Sequence, residues 1–244
     1  MDSGYYAACA GLSAQTQALD LIANNVANLN TTGYRGQQPT FRSLVASASG
    51  EFANPLNRAI NDFNVLGDTR TDLSPGNLQA TGNAPDLGIE GDAFFVVQTQ
   101  AGPAYTRNGN FQISQSGQLM TATGDPVLGE QGPIIVPSGS LSISADGTIS
   151  VSGAVAGKVR LVELTPGNSP VAVGTSYYSA PANAWQPAAH SSIRQGMLEA
   201  SNVNPITAVV DLIAVQRRAE MLERAMSAFY SNLNKVAAND LPHV

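Results

Sequence analysis

Residues 204–237 read NPITAVVDLIAVQRRAEMLERAMSAFYSNLNKVA, and this segment has the strongest periodic pattern in the chain. Apolar or small residues recur in it at alternating steps of three and four, which is typical of a heptad helix. They are Ala208, Leu212, Val215, Ala219, Leu222, Met226, Phe229, Leu233 and Val236. Asn204 suits the N-cap, and Pro205 suits the first helical position. The pattern predicts a helix from Pro205 to Ala237, about 50 Å long at ~1.5 Å per residue.

A second stripe of the same period begins near the N-terminus and has one polar exception, Gln15. Its members are Tyr5, Ala8, Leu12, Gln15, Leu19, Ile22, Val26 and Leu29. Because neither stripe can be buried by its own helix, we expect the two terminal helices to pair within one subunit as a coiled coil.

The outer surface of the first predicted helix is almost uncharged. Asp20 is the only charged residue between Ser3 and Thr32. A free coiled coil normally carries Glu and Lys beside its seam, so this surface is typical of a helix covered by protein. Two interpretations remain open, a helix that contacts neighbouring subunits and a helix buried inside its own domain.

The middle of the chain is dominated by patterns typical of β-strands. Leu141, Ile143, Ile149 and Val151 alternate with polar residues on either side of the turn 145–147, which predicts a hairpin with these four on one face. A second hairpin is predicted from 111–113 and 118–120 around Ser116-Gly117, and 93–98 is typical of a buried strand. Several short strands of this kind favour an antiparallel sandwich or barrel.

The predicted fold class is therefore mixed α and β, with an all-β domain inserted into a discontinuous helical coiled-coil module. We assign residues 1–36 to the N-terminal helix of that module and 37–75 to a connecting segment. Residues 76–185 form the β-domain, 186–203 a linker, and 204–244 the C-terminal helix.

Composition excludes several functional classes. Only 12% of the 244 residues are charged and the net charge is −6, so the chain has no basic surface suited to nucleic acid or to an anionic membrane. The single cysteine, Cys9, excludes an intramolecular disulfide and a cysteine-based metal cluster. No apolar run approaches the ~18 residues of a membrane span. The first residues lack the pattern of a cleaved signal peptide, so we expect export without one.

Residues that could support catalysis are few. His190 lies in a segment rich in Pro, Ala and Ser, and His243 is close to the end of the sequence. Asp86, Glu90 and Asp92 are close in sequence, but their spacing does not match an EF-hand and is better explained by turns and strand ends. We therefore predict no enzymatic activity, no cofactor and no metal.

Five segments carry a resemblance to a known family. They are 23–35 (ANNVANLNTTGYR), 87–97 (LGIEGDAFFVV) with 105–111 (YTRNGNF), 124–129 (GDPVLG), and 195–204 (QGMLEASNVN) followed by the heptad helix. In this order they resemble the bacterial flagellar rod and hook proteins, and together they cover most of the chain. Length and the C-terminal residues resemble proximal rod subunits more than the longer distal ones.

The resemblance implies an axial structural subunit of the flagellar basal body. Such a subunit is exported unprocessed by the flagellar type III apparatus and polymerises with copies of itself and with other rod proteins into a hollow shaft that crosses the periplasm. The terminal helices would line the inside of this assembly. Alternatives are a distal rod subunit, or a secreted ligand-binding β-domain oligomerised by its helices.

Assembly contacts are expected on both terminal helices, through their apolar stripes and through the asparagines of the first helix, whose amides can bond to neighbouring backbones. The predicted interface residues are Leu12, Leu19, Ile22, Asn24, Asn25, Val26, Asn28, Leu29, Asn30, Leu212, Val215, Leu222, Met226, Phe229 and Leu233.

Overall fold

A computed structural model describes residues 2–42 and 65–240. The chain divides into two compact units. We call the first the helical unit, formed by Met1–Val26, Gln37–Arg70 and Pro205–Val244, and the second the β-unit, formed by Ala27–Gly36 and Thr71–Asn204. The architecture is thus mixed α and β, as the sequence predicts.

The described residues of the helical unit form two long helices and one small sheet. Helix α1 spans Asp2–Ala27 and α2 spans Pro205–Asp240, while strands β1 (Gln37–Arg42) and β2 (Val65–Thr71) pair with each other. Helix α2 begins at the predicted proline. Within their described residues, neither helix has an apolar stretch long enough to cross a membrane.

Helix α1 ends earlier than its apolar stripe. The stripe continues to Leu29, but the helix stops at Ala27 and residues 28–30 form a turn. The backbone N–H of Thr31 donates to the carbonyl of Asn28 at 3.2 Å, and Gly33 then adopts φ +66°. The turn directly after Ala27 therefore ends the helix, and the left-handed Gly33 lies six residues beyond it.

Seventeen further strands lie in the β-unit. They are β3 (Leu78–Ala80), β4 (Leu87–Glu90), β5 (Phe94–Thr99), β6 (Gly102–Thr106), β7 (Phe111–Ile113), β8 (Leu119–Thr121), β9 (Leu128–Gly129), β10 (Gly132–Pro133), β11 (Leu141–Ile143), β12 (Thr148–Val151), β13 (Ala154–Lys158), β14 (Leu161–Leu164), β15 (Val171–Val173), β16 (Tyr177–Ser179), β17 (Trp185–Pro187), β18 (Ser192–Gln195) and β19 (Met197–Glu199). A 3₁₀ turn, Ala182–Ala184, precedes β17.

These strands form one large sheet and several small ones, all antiparallel. The largest has six strands in the order β15-β16-β6-β5-β14-β17. A three-stranded sheet has the order β11-β12-β13, and four strand pairs are β3 with β19, β4 with β18, β7 with β8, and β9 with β10.

Both predicted hairpins are present. Leu141 lies opposite Val151 and Ile143 opposite Ile149, while Ile113 lies opposite Leu119. Ile143, Ile149 and Val151 are buried together in the main core. Turn chemistry and alternation, both local signals, were sufficient to predict these elements.

Strand β5 explains how the β-unit is packed. Phe95 and Val97 point into the main core, whereas Phe94 and Val96 point into a second cluster on the other side of the strand. A strand covered on both faces has the continuous apolar pattern predicted for 93–98. The main core consists of Leu87, Ile89, Ala93, Phe95, Val97, Phe111, Leu119, Val127, Ile134, Val136, Ile143, Ile149, Val151, Val159 and Ile193.

Two segments contain more regular structure than the sequence analysis assigned to them. The segment 186–203, predicted as a linker, contributes the end of β17 and all of β18 and β19, and the described parts of 37–75 include β1 and β2. Strand β18 pairs with β4 over a separation of about a hundred residues, with Ile193 opposite Ile89. Such short strands depend on distant partners, so local periodicity gives little indication of them.

Candidate functional site

The inward faces of α1 and α2 form one apolar cluster in the helical unit. Ala18, Ile22 and Val215 are buried in it, and Leu19, Val26 and Leu212 pack against them. The structure therefore brings together five predicted interface residues inside one subunit: Leu19, Ile22, Val26, Leu212 and Val215. The two stripes contact each other, as the shared period of their spacing predicts.

The remaining apolar interface residues lie at the margins of this cluster or beyond it. Leu12, Leu29, Leu222 and Met226 are half-buried. The side chains of Phe229 and Leu233 lie outside the described part of the chain.

The predicted asparagines lie in different surroundings. Asn24 and Asn30 are exposed, whereas Asn28 is buried in the turn after α1 and accepts a bond from the Thr31 hydroxyl at 3.0 Å. Asn25 bonds to the backbone of Gln37 twice, donating to its carbonyl at 2.7 Å and accepting from its N–H at 2.9 Å. Asn25 thus ties the end of α1 to the start of β1.

The opposite face of α2 is apolar and exposed. Ile206 is 75% exposed, Val210 58% and Ile213 46%. These residues recur at steps of four and three, so they form a stripe on the side of α2 away from Val215. We call this stripe, together with its flanking residues Val209 and Met221, the outward face of α2.

A buried charge cluster lies in the β-unit. The carboxylate of Glu199 on β19 accepts from Arg35 Nη1 through Oε1 and from Arg107 Nε through Oε2, each at 2.7 Å. The backbone N–H of Gly76 also donates to Oε1 at 2.7 Å. All three charged side chains are at most 2% exposed. We call them the Arg–Glu–Arg cluster.

The two guanidinium groups share one carboxylate, so the cluster carries an excess positive charge that other groups must stabilise. Arg107 donates to the carbonyls of Ala93 and Ile89 and lies 5.7 Å from the centre of the Phe94 ring. Arg35 donates to the carbonyl of Ser74. Burial lowers the pKa of Arg35, and the nearby Glu199 carboxylate opposes that effect.

Tyr178 extends the cluster toward the six-stranded sheet. Its hydroxyl oxygen accepts from the backbone N–H of Arg35 at 3.1 Å. Burial raises the pKa of Tyr178 from its ordinary value of 10.0 to about 12. The phenol therefore stays neutral in the folded protein at every physiological pH.

Glycines allow the chain segments around the cluster to approach closely. A Cβ on Gly109 would lie 1.6 Å from the Leu87 carbonyl oxygen, and one on Gly33 would lie 2.4 Å from the Arg107 carbonyl carbon. In addition, the N–H of Gly33 donates to the carbonyl of Glu199 at 2.7 Å. Side chains at these two positions would separate the segments that carry the charges.

No sequence pattern singled out Arg35, Arg107 or Glu199 as functional, although all three lie inside the quoted motifs. One available signal was their rarity. In a chain with so few charges, a charged residue close to a glycine, as in Tyr34-Arg35-Gly36 or Arg107-Asn108-Gly109, favours a specific partner. Their pairing with each other joins distant segments and has no local signature.

Two of the three carboxylates considered for catalysis have structural partners. Asp86 is buried and accepts from the Thr81 hydroxyl at 2.6 Å and from the Asn83 amide at 3.0 Å. Glu90 forms an exposed ion pair with Arg194 at 2.8 Å. Among the described residues no three His, Cys, Asp or Glu side chains are grouped to hold a metal ion.

Comparison with known families matches three regions of the chain. Residues 6–35 match the model of the flagella basal body rod protein, 88–151 that of the flagellar hook protein FlgE/F/G D1 domain, and 194–239 that of the flagellar basal body rod FlgEFG protein C-terminal region. Each region supplies one member of the Arg–Glu–Arg cluster.

Curated relatives match nearly the whole chain. The flagellar basal-body rod protein FlgF of Mesorhizobium japonicum is 35% identical, with 90% of each chain covered, and FlgF of Salmonella typhimurium is 34% identical over 95% of this chain and 96% of the relative. The chain belongs to the flagellar basal-body rod proteins. A more distant FlgG of Bacillus subtilis is 31% identical over 87% of this chain and 89% of its own length.

Membership in this family establishes the functional class. The subunit is a structural, non-enzymatic component of the flagellar basal-body rod, and its similarity to FlgF relatives identifies it as the proximal type. The alternative of a secreted ligand-binding protein is not favoured by any of these similarities.

Proposed function

We propose that the subunit assembles with copies of itself and with other rod proteins through the outward faces of α1 and α2. The observation that carries this proposal is the exposed apolar stripe of α2. The inward face of α2 packs on α1, whereas Val210 and Ile213 of the stripe are 58% and 46% exposed on the opposite side of the helix.

Exposing such a stripe to water is unfavourable, and contiguous exposed apolar surface marks interaction sites in soluble proteins. The outward face of α1 complements it. Its exposed described residues are small or uncharged apart from one carboxylate; they are Ser13, Thr16, Gln17, Asp20, Ala23, Asn24 and Ala27. Small side chains permit close helix approach, which favours contact with a second helix over contact with solvent.

The finer features of this function are part of the same proposal. The heptad spacing of both stripes supports a coiled coil between α1 and α2, and the remaining predicted interface residues extend its ends. The family supports export through the flagellar type III apparatus, without a cleaved signal peptide, to a position in the periplasmic part of a tubular rod.

Charged substitutions on the outward face of α2 test the proposal. The variant Val210→Glu with Ile213→Glu should be exported at normal levels and should retain its far-UV circular dichroism, because both side chains are exposed. It should nevertheless fail to enter basal bodies, because assembly would bury two carboxylates without partners.

The matched control is Gln216→Glu, which adds a carboxylate to an exposed position of the same helix at the side of the stripe. It should build normal rods. Normal motility and normal basal bodies in the double variant would overturn the proposal, provided that the variant is shown to be the only copy expressed.

A further inference from the structure

Asp20 is the only charge among the described exposed residues of α1, and Arg217 continues the exposed stripe of α2. Arg217 follows Ile213 by four residues and is itself exposed. Neither Asp20 nor Arg217 forms an ion pair with any other residue in the described part of the chain.

The two charges cannot meet within one helical unit. Asp20 precedes the buried Ile22 by two residues and Arg217 follows the buried Val215 by two, and two residues rotate a helix by roughly 200°. Since the buried residues face the partner helix of the same chain, both charges point away from it. Asp20 and Arg217 therefore do not pair with each other within one helical unit, and both lie on outward faces that another molecule can reach.

We propose that Asp20 of one subunit pairs with Arg217 of a second copy, through an antiparallel contact between α1 of the first and α2 of the second. This inference rests on the proposed function and assigns a partner and a register to the same faces. The opposite charges set the register, because Asp20 is the only charge that the described outward face of α1 offers to α2.

Apolar and small residues fit this register. With Asp20 beside Arg217, the equal rise of the two helices brings Ile213 beside Asn24 and Val210 beside Ala27. The branched side chains of α2 then lie against the shorter side chains of α1, which permits the helix axes to approach closely. The contact buries the stripe that the isolated subunit leaves exposed.

The proposed contact is heterologous, since it joins different faces of two identical molecules. Each subunit keeps a free Asp20 on one side and a free Arg217 on the other, so the contact can be repeated from copy to copy. Repetition of this kind produces a ring or an open helical assembly, which is the type of structure that a rod subunit must form.

Charge reversal in vivo tests the pair. Asp20→Arg and Arg217→Asp, each as the only copy, should be exported normally but should lose most rod assembly and swimming, because like charges would then face each other.

Co-expression of the two variants should restore rod assembly and swimming. In a mixed assembly the arginine introduced on α1 of one variant meets the aspartate introduced on α2 of the other, and the unchanged pair forms at the alternate contact. The double variant in one chain should also assemble.

The control is Arg218→Asp, an exposed position rotated by roughly 100° from Arg217 around α2, which should assemble normally. Normal rods from both single variants would overturn the pair, while failure of Val210→Glu with Ile213→Glu in the same strain would leave the proposed function standing. If the single variants fail and co-expression does not restore assembly, the partner is another rod protein, and the inference of a second copy is wrong.

Discussion

At the residue scale, the Arg–Glu–Arg cluster shows how a protein poor in charge uses the few charges that it buries. Glu199 holds two guanidinium groups from segments that are distant in sequence, and Gly33 and Gly109 let those segments come close enough. Buried ion pairs often add little net stability, but removing one partner leaves an uncompensated charge. The three chain segments are therefore held together properly only when all three residues are present.

Replacing the shared carboxylate should strongly destabilise the β-unit. We expect Glu199→Gln to lower the free energy of unfolding by ~3–5 kcal/mol, because two buried guanidinium groups lose their counter-ion. Urea unfolding followed by the fluorescence of Trp185, the only tryptophan in the chain, would measure the loss in the β-unit.

The matched control for that experiment is Glu90→Gln, which removes one partner of the exposed Glu90–Arg194 pair. Both side chains of the pair are more than half exposed, so the change should stay within ~1 kcal/mol. Equal losses in the two variants would show that the buried cluster is not a special source of stability.

Tyr178 makes the β-unit sensitive to alkaline pH. Its pKa is about 12 in the folded protein, so the unfolded chain releases this proton first, near pH 10. The folded state therefore loses stability progressively as pH rises from 10 to 12, by roughly 3 kcal/mol in total, and the stabilisation is fully present below pH 10.

The variant Tyr178→Phe separates two effects of this residue. At neutral pH it should lose ~1–3 kcal/mol, because the backbone N–H of Arg35 loses its acceptor. Between pH 10 and 12 its further loss should be smaller than that of the natural protein. An alkaline slope of urea midpoints equal to the natural one would contradict the assignment to Tyr178.

At the scale of elements, α2 has two apolar faces with different uses. The face containing Val215 packs on α1, and the face containing Val210 is exposed. Helix α1 is also tied to β1 through Asn25 and Gln37. Asn25 and Asn28 thus contact their own subunit.

The same substitution on the two faces of α2 should give opposite results. Val215→Ala should destabilise the helix pair by about 1.5 kcal/mol through the loss of two buried methyl groups. Val210→Ala should leave the helix slightly more stable, because alanine is the better helix former, but should reduce incorporation into rods. Thermal melts followed by far-UV circular dichroism would measure stability, and basal-body isolation would measure incorporation. Equal melting temperatures for the two variants would contradict this division of roles.

At the scale of the whole molecule, the parts that sequence predicts are those with local causes. The hairpin around 145–147, the buried strand β5 and the long helix α2 follow from turn residues and periodicity within a few residues of each other. Strands β18 and β19 were predicted as linker, because local patterns do not indicate them. Ile193 is the only buried apolar residue of β18, and β18 pairs with a strand near residue 89, about a hundred residues away.

The candidate sites divide in the same way. The inward helix stripes were predictable from their period, and five of the predicted residues meet in one cluster. The Arg–Glu–Arg cluster was not predictable, because its three members belong to separate segments and only the folded β-unit brings them together. Likewise, the exposure of Ile206, Val210 and Ile213 depends on which face of α2 contacts α1. The heptad pattern alone does not determine how exposed these side chains are.

The two units should differ in stability in the free subunit, and assembly should reduce the difference. The main core of the β-unit contains fifteen buried residues, whereas the described cluster between α1 and α2 contains three. Because hydrophobic stabilisation grows with the apolar area buried, the helices should open locally at a lower free energy than the β-unit. In a rod, burial of the outward helix faces against neighbours would raise that free energy without adding contacts inside the subunit.

Hydrogen exchange of the free subunit should therefore show fast exchange at the amide of Leu19 and slow exchange at that of Phe95, and isolated basal bodies should show slow exchange at both. The β-unit serves as the internal control, since the amide of Phe95 should be equally protected in both samples. Equal protection of the two amides in the free subunit would mean that the helix pair is stable alone and that its outward faces contribute little to its order.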